Sequence, residues 1–377
     1  MISKWFFTLC ILPALGIGGG VLFWLLRPNR ARVDRTLGIQ TGEIINNGLH
    51  NAFTDMIFWN GSYYLVYISS PSHFASKYSR LVILRSKDTQ QWEEIAKLNY
   101  GRKDIRDPKL SVIQGNLFLY VLLNDSFDPK PYRSLVAKTS DGITWTAFEE
   151  KITSGWLIGH PRSIDGKQWY VAAHWHEFNK VALFTTTDGE NWEYYSMIVE
   201  KPGVDESAIE FLPDKTMVAV IRYEPGSGIF GSKDDSTMII TSLPPYREWS
   251  KVKVSRETRL DSPNLFRSGE NIYAVGRYQS DVRGPFNYQG SAFSLKRTSL
   301  FHVSTEKITH LSDLPSSGDT AYAGVVVNDE KILISYYSSS LKKDNPWWLG
   351  MLGPTGIYLA SFNHGCLNEL LEMKGVN

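Results

Sequence analysis

Residues Ala52-Phe53-Thr54-Asp55-Met56-Ile57-Phe58-Trp59, the dipeptide Asn60-Gly61 and the run Tyr63-Tyr64-Leu65-Val66-Tyr67-Ile68 form the unit from which the fold can be read. Two short runs rich in aromatic and branched residues flank a dipeptide suited to a tight hairpin turn. The plan recurs in Arg106-Asp107-Pro108-Lys109-Leu110 before Gln114-Gly115, and in His160-Pro161-Arg162-Ser163 before Asp165-Gly166. It returns in Glu206-Ser207-Ala208 before Pro213-Asp214, in Ser262-Pro263-Asn264 before Ser268-Gly269, and in Thr320-Ala321-Tyr322 before Asn328-Asp329. The second turn residues fall at 61, 115, 166, 214, 269 and 329. A period of roughly 50 residues marks propeller blades, because each sheet needs neighbours to cover its faces. Further runs, such as Leu81–Leu84, Val181–Phe184 and Gly356–Ala360, read as outer strands. The sequence predicts an all-β, six-bladed β-propeller of four-stranded antiparallel blades. Ring closure removes the free edges that a stack of sheets exposes.

Composition narrows the function classes. The chain has 377 residues, with 40 Lys+Arg against 39 Asp+Glu, so its formal charge of +1 offers no global attraction for nucleic acid, and no such partner is expected. Aromatic residues make up 13% of the chain, which suits many packed short strands. The two cysteines, Cys10 and Cys366, support neither a disulfide framework nor a thiol metal site. No P-loop, dinucleotide fingerprint or Gly-x-Ser-x-Gly elbow occurs, and no cofactor or metal is expected.

Before the repeats, Trp5 to Leu26 carries no formal charge, with Lys4 before it and Arg27, Arg30, Arg32 and Arg35 after it. As a helix it is long enough to span a hydrocarbon core of about 30 Å. Pro13 and Gly18 to Gly20 weaken such a helix in water but are tolerated in lipid. Residues 1–35 are therefore expected to be an N-terminal hydrophobic helix with a basic flank, acting as a single-pass membrane anchor. A cleaved signal, giving a secreted protein, is the alternative. The side of the membrane is left open by the charges. Residues 36–377 are expected to form the single propeller.

Three heptads overlay the repeat: Ser86 to Trp92, Thr139 to Trp145 and Thr186 to Trp192 share Ser/Thr-x-Asp-x-x-x-Trp. Asp88, Asp141 and Asp188 can each cap a tight turn, while Trp92, Trp145 and Trp192 supply apolar plates between sheets. These six residues are read as structural. The heptads resemble the short form of the Asp-box of sialidases and other propeller glycosidases. The span from His50 to about Phe362 also resembles sialidase-like proteins, through His50 to Asp55, Arg106 to Leu110, Glu206 to Ala208, Ser262 to Asn264 and Gly318 to Tyr322.

First strands line a propeller's channel, so their starting residues can meet at one end. Those positions hold Asp55, Arg106, Asp107, Glu206, Asp261 and Tyr322, with Asp319 just before the last; Arg222 and Arg277 end second strands beside them. The resemblance implies an exo-glycosidase acting on a glycan or glycoconjugate. It makes Tyr322 the nucleophile, Glu206 the base that activates it, and Asp55 the acid/base. Arg106, Arg222 and Arg277 become the holders of a substrate carboxylate, with Asp319 and His160 as further substrate contacts. The chain departs from the family in its first blade, where Phe53-Thr54-Asp55 stands in place of an Arg-Ile-Pro-like triplet. A carboxylate-only mechanism on a neutral sugar is the rival, with Asp55 as base, Glu206 as acid and Asp107 as the orienting group. A non-catalytic glycan- or protein-binding propeller is the third reading. His174 and His176 share a strand face near His160, but no carboxylate or thiol set completes a metal shell around them.

Overall fold

A computed structural model describes residues 16–20, 38–124, 132–226 and 228–375. Six antiparallel sheets follow one another along the chain. Blade 1 comprises His50–Trp59, Ser62–Ser70, Arg80–Ser86 and Glu93–Leu98. Blade 2 comprises Asp104–Ile113, Asn116–Asn124, Arg133–Thr139 and Glu149–Glu150. Blade 3 has Trp156–Ile158, Trp169–Trp175, Lys180–Thr186 and Glu193–Glu200, plus the short strand Arg162–Ser163 paired to its second strand. Blade 4 comprises Val204–Phe211, Met217–Tyr223, Ser236–Ser242 and Lys253–Ser255; blade 5 comprises Asp261–Ser268, Asn271–Gln279, Lys296–Val303 and Ile308–Asp313.

Blade 6 closes the ring with both ends of the propeller. Its inner strands are Thr320–Val327, Lys331–Ser338 and Gly356–Asn363, and its outermost strand is Gln40–Ile45, paired antiparallel with Gly356–Asn363. The runs expected as outer strands are therefore third strands. The true outer strands escaped notice because they face solvent: both residues of Glu149–Glu150 are exposed, and Glu93–Leu98 has no buried residue. Solvent-facing strands carry no apolar run to read.

The membrane expectation needs correction. Within the apolar N-terminal run, residues 16–20 are helical and exposed, while the rest of that run and its basic flank lie outside the described residues. Among the described residues, no helix is long and apolar enough to cross a membrane. A span needs about 20 consecutive helical residues, and the helical stretch described in this run is only residues 16–20. The single-pass anchor and its membrane partnership are not supported.

The Asp-box heptads lock successive blades. Asp141 Oδ1 accepts the backbone N–H groups of Ile143 and Thr144 at 2.8 and 2.7 Å, and Asp188 Oδ1 accepts those of Glu190 and Asn191 at 2.8 Å each. Gly142 and Gly189 sit at φ +78° and +79°, where a side chain would be strained. They also leave room for the preceding blade: a Cβ at Gly142 would lie 2.3 Å from Tyr64 Oη, and one at Gly189 would lie 3.0 Å from Phe118. Tyr120 Oη donates to the Gly189 carbonyl at 2.7 Å, and Trp192 is buried against the Tyr120 ring. A fourth copy went unrecognised in the sequence. Ser163-Ile164-Asp165-Gly166-Lys167-Gln168-Trp169 makes the same bonds, with Asp165 Oδ1 accepting Lys167 and Gln168 N–H at 2.9 and 3.0 Å. It joins the first and second strands of its blade rather than the third and fourth.

Candidate functional site

Five of the six inner strands are interrupted at the same level. Register shifts fall between Ala52 and Asp55, Arg106 and Lys109, Val204 and Ser207, Asp261 and Asn264, and Ala321 and Gly324. In blade 3 the inner strand breaks at Gly159-His160-Pro161. Four of the bulges hold non-glycine residues at positive φ: Phe53 at 56°, Asp107 at 52°, Ser262 at 48°, and Ala321 and Tyr322 at 96° and 45°. Bulges re-aim side chains, and such backbone persists only where surrounding contacts impose it. Here the result is a ring of side chains turned into the channel mouth from all six blades.

A pocket opens on this ring. Its lining includes Asp107, Lys109, His160, His174, Glu206, Ser262 and Tyr322. The pocket is half open to solvent and holds about 420 Å³ of empty space. Of the residues expected at a site, Asp107, His160, Glu206 and Tyr322 line this pocket; Asp55, Arg106, Arg222, Arg277 and Asp319 do not.

The Tyr322 hydroxyl donates a very short hydrogen bond to Glu206 Oε1. Glu206 Oε2 accepts from Arg222 Nη1 at 2.9 Å and from the Ser262 backbone N–H at 2.5 Å. Both oxygens are thereby fixed, one towards the phenol and one towards cationic and amide donors. Burial pushes the Tyr322 phenol well above its ordinary range, and the negative charges of Glu206 and Asp107 push it further. The phenol is protonated at neutral pH and needs a base to lose its proton.

Each arginine is matched by acids. Arg222 pairs closely with Asp205, binds Glu206, and lies 3.8 Å from Asp261. Arg277 is 3% exposed; its Nε donates to the Thr320 carbonyl at 2.9 Å, and it lies 3.6 Å from both Asp261 and Asp319. Its guanidinium stands 5.7 Å from the Tyr322 ring centre. Burial alone would raise the Asp261 carboxyl, but Arg259, Arg222 and Arg277 outweigh it and hold the group well below the usual carboxylate range. Arg106 Nε contacts Asp104 Oδ2 at 2.5 Å, and its guanidinium covers Phe53 at 5.3 Å from the ring centre. Phe53, 3% exposed, sets its ring edge-on against Tyr322 at 4.5 Å between centres. The first-blade position thus presents an apolar plate beside the phenol and no charge.

The acids divide as well. Asp55 is 3% exposed and clasps three blades: its oxygens accept the Met56 and Leu110 backbone N–H groups at 2.9 and 2.6 Å, and His160 Nε2 lies 3.3 Å away. Burial lowers the His160 pKa despite Asp55, leaving a neutral imidazole at the pocket wall. Asp107 opens into the pocket and pairs with Lys109 Nζ. Asp319 is completely buried under Trp347, whose Nε1 donates to it at 2.9 Å. Lys109 and Asp205 were missed as site residues, although Lys109 follows Asp107 by two positions and Asp205 precedes Glu206.

No family profile matches the chain, and no curated protein matches it either. Solved structures do. The Trypanosoma rangeli sialidase in complex with the inhibitor DANA aligns with a TM-score of 0.63 at 12% identity, covering 88% of this chain and 61% of that one. The endosialidase of phage phi92 aligns at 0.62 and 10% identity, covering 86% and 69%. The Penicillium chrysogenum alpha-L-arabinanase complexed with arabinobiose aligns at 0.55 and 15% identity, covering 86% and 99%. This chain therefore spans about three fifths of the trypanosomal sialidase. At such identities the likeness carries the fold: a sialidase-like six-bladed propeller, shared with glycosidases.

Proposed function

We propose that the protein is a glycoside hydrolase that removes a terminal neutral sugar from a glycan, with Tyr322 as nucleophile. The hydrogen bond from Tyr322 to Glu206 at the pocket wall carries this reading. As the phenol oxygen bonds to the anomeric carbon, its proton passes to Glu206, which Arg222 and the Ser262 N–H hold in place. Asp107, ionised beside Lys109 at rest, takes a proton from solvent before the reaction, gives it to the departing glycosidic oxygen, and then accepts one from the water that releases the sugar. Tyr322 leaves as phenol when Glu206 returns its proton. Arg277 beside the ring favours the negative charge that develops on the phenol oxygen.

The neutral sugar follows from charge matching. A carboxylate needs donors without a prior partner, and Arg222 and Arg277 already face Asp205, Glu206, Asp261 and Asp319. Arg106, the third expected cation, is held by Asp104 and the His73 carbonyl against the Phe53 ring and does not line the pocket. The test is turnover by the full chain of a panel of fluorogenic glycosides that includes neutral pyranosides, furanosides and a sialoside. Hydrolysis of a neutral member that is abolished in Y322F supports the assignment. A panel with no turnover from pH 4 to 9 rejects it.

A further inference from the structure

Where the first and last blades meet, His50, His73 and Asp319 bring three ligand atoms within 4.8 Å of one another. His50 begins the inner strand of blade 1, His73 follows its second strand, and Asp319 directly precedes the inner strand of blade 6. We propose that these three residues form a zinc site that staples the closing seam of the ring.

The hydrogen-bond pattern of His50 is the first observation. Its Nδ1 faces the Gly353 carbonyl at 2.8 Å, and a carbonyl can only accept, so Nδ1 carries the hydrogen. That leaves Nε2 with a bare lone pair in a fully buried side chain. Nε2 makes no hydrogen bond, yet it lies 3.2 Å from Asp319 Oδ2. Two electron-rich atoms facing each other at this distance call for a cation between them. An imidazole whose far N–H is fixed by a backbone carbonyl is also the usual arrangement of a histidine metal ligand.

Asp319 supplies the second observation, because its two oxygens have separate tasks. Oδ1 takes the Trp347 Nε1–H at 2.9 Å and the Tyr337 hydroxyl at 3.1 Å, with Arg277 3.6 Å away. Oδ2 points only at the two histidines, 2.6 Å from His73 Nδ1 and 3.2 Å from His50 Nε2. Zinc bonds of 2.0–2.2 Å at tetrahedral angles separate ligand atoms by about 3.3 Å. The edge from His50 to Asp319 already has that length, the edge from His73 to Asp319 must open by about 0.7 Å, and the edge between the two histidines, within 4.8 Å, must settle to the same length. On binding, His73 moves its hydrogen from Nδ1 to Nε2 and presents the freed lone pair. The His73 side chain is 18% exposed, which gives the ion a way in from solvent. Two imidazoles and one carboxylate match borderline zinc better than calcium or magnesium, which take oxygen shells.

The test uses the full chain stripped with chelator, incubated with zinc chloride and dialysed. One zinc per chain by elemental analysis, with a thermal midpoint several degrees above the chelated sample, supports the site. Zinc below a tenth of an equivalent overturns it and leaves a proton on His50 as the bridging cation. H73A and the polar H73Q should each lose the bound zinc and the thermal shift while keeping the near-ultraviolet circular dichroism of the wild type. A folded variant that retains a full equivalent overturns this ligand set. Should neither variant fold, cobalt(II) in the wild type decides: intense visible d–d bands of a four-coordinate site support it, and the pale spectrum of a six-coordinate ion overturns it.

Discussion

Tyr322 and Glu206, 116 positions apart and on inner strands of different blades, share one very short hydrogen bond at the pocket wall. The bulge at Ala321–Tyr322 holds the tyrosine at φ 45°, outside the range of strand backbone, and so aims its ring at Glu206. Y322F keeps the ring contact with Phe53 and removes only the reacting oxygen. Its kcat on the best neutral glycoside should fall to the background of the assay, with a thermal midpoint close to wild type. E206Q should lower kcat by about 10²–10⁴-fold, the usual worth of a positioned base. Wild-type rates in either variant reject the tyrosine mechanism.

Arg222 acts through Glu206. In R222M the glutamate keeps the Ser262 N–H and Asp205 keeps His174 at 3.1 Å, but both carboxylates lose the buried guanidinium that balances their charge. The loss should fall on kcat rather than KM, because Arg222 does not line the pocket. R222K, with a single ammonium in place of a forked guanidinium, should recover only part of the rate. An effect confined to KM would mean that Arg222 meets the substrate directly.

The Asp-box turns should matter to stability alone. Asp188 accepts two backbone N–H groups at 2.8 Å and the Thr186 hydroxyl at 2.9 Å. Burial works against its ionised form, but the bonds from Asn191 and Glu190 win and hold its pKa down at about 2. A carboxyl whose folded pKa is depressed stabilises the fold above its unfolded value near 4 and loses that contribution as pH falls towards 2. D188A should cost about 1 kcal/mol at neutral pH, measured by urea unfolding, and less below pH 3. Glycosidase activity per folded molecule should be unchanged.

The blade count was legible because each inner and second strand is buried on both faces and prints a dense apolar run around a Gly- or Asp-containing turn. The ring closure was not, since Gln40–Ile45 is an edge strand with no buried residue and no apolar run. At the site, Tyr322, Glu206, Asp107 and His160 were legible from their places at the starts of blades. Their sorting was not. Whether an acid such as Asp55 opens into the pocket or clasps a neighbouring blade depends on one residue of bulge, which shifts a side chain from one face to the other. Arg222 and Arg277 misled for a related reason: their partners Asp205, Asp261 and Asp319 lie in other turns or strands, so spacing along the chain cannot show that their charge is already matched.

Lys296 offers a further test of the charge lattice under the site. Its side chain is 2% exposed, donates to Gln279 Oε1 at 2.9 Å and stands 5.1 Å from the centre of the Trp347 ring. Burial pushes its pKa down to about 7; Asp261 opposes the shift, while Arg259 and Arg277 add to it. An unfolded lysine titrates near 10.4. Between about pH 7 and 10 the unfolded chain therefore binds the extra proton, so this residue makes stability rise with pH through that window. Below pH 7 both states are protonated and its contribution is flat. K296M removes the titration while keeping the apolar stem. Urea unfolding of both proteins at pH 6, 7, 8 and 9 should show equal slopes below pH 7 and a wild-type gain over K296M above it, up to about 1.4 kcal/mol per pH unit. Parallel stability curves across the whole range would mean that Lys296 stays charged. Asp261 would then be holding it, as it holds Arg277 beside Tyr322.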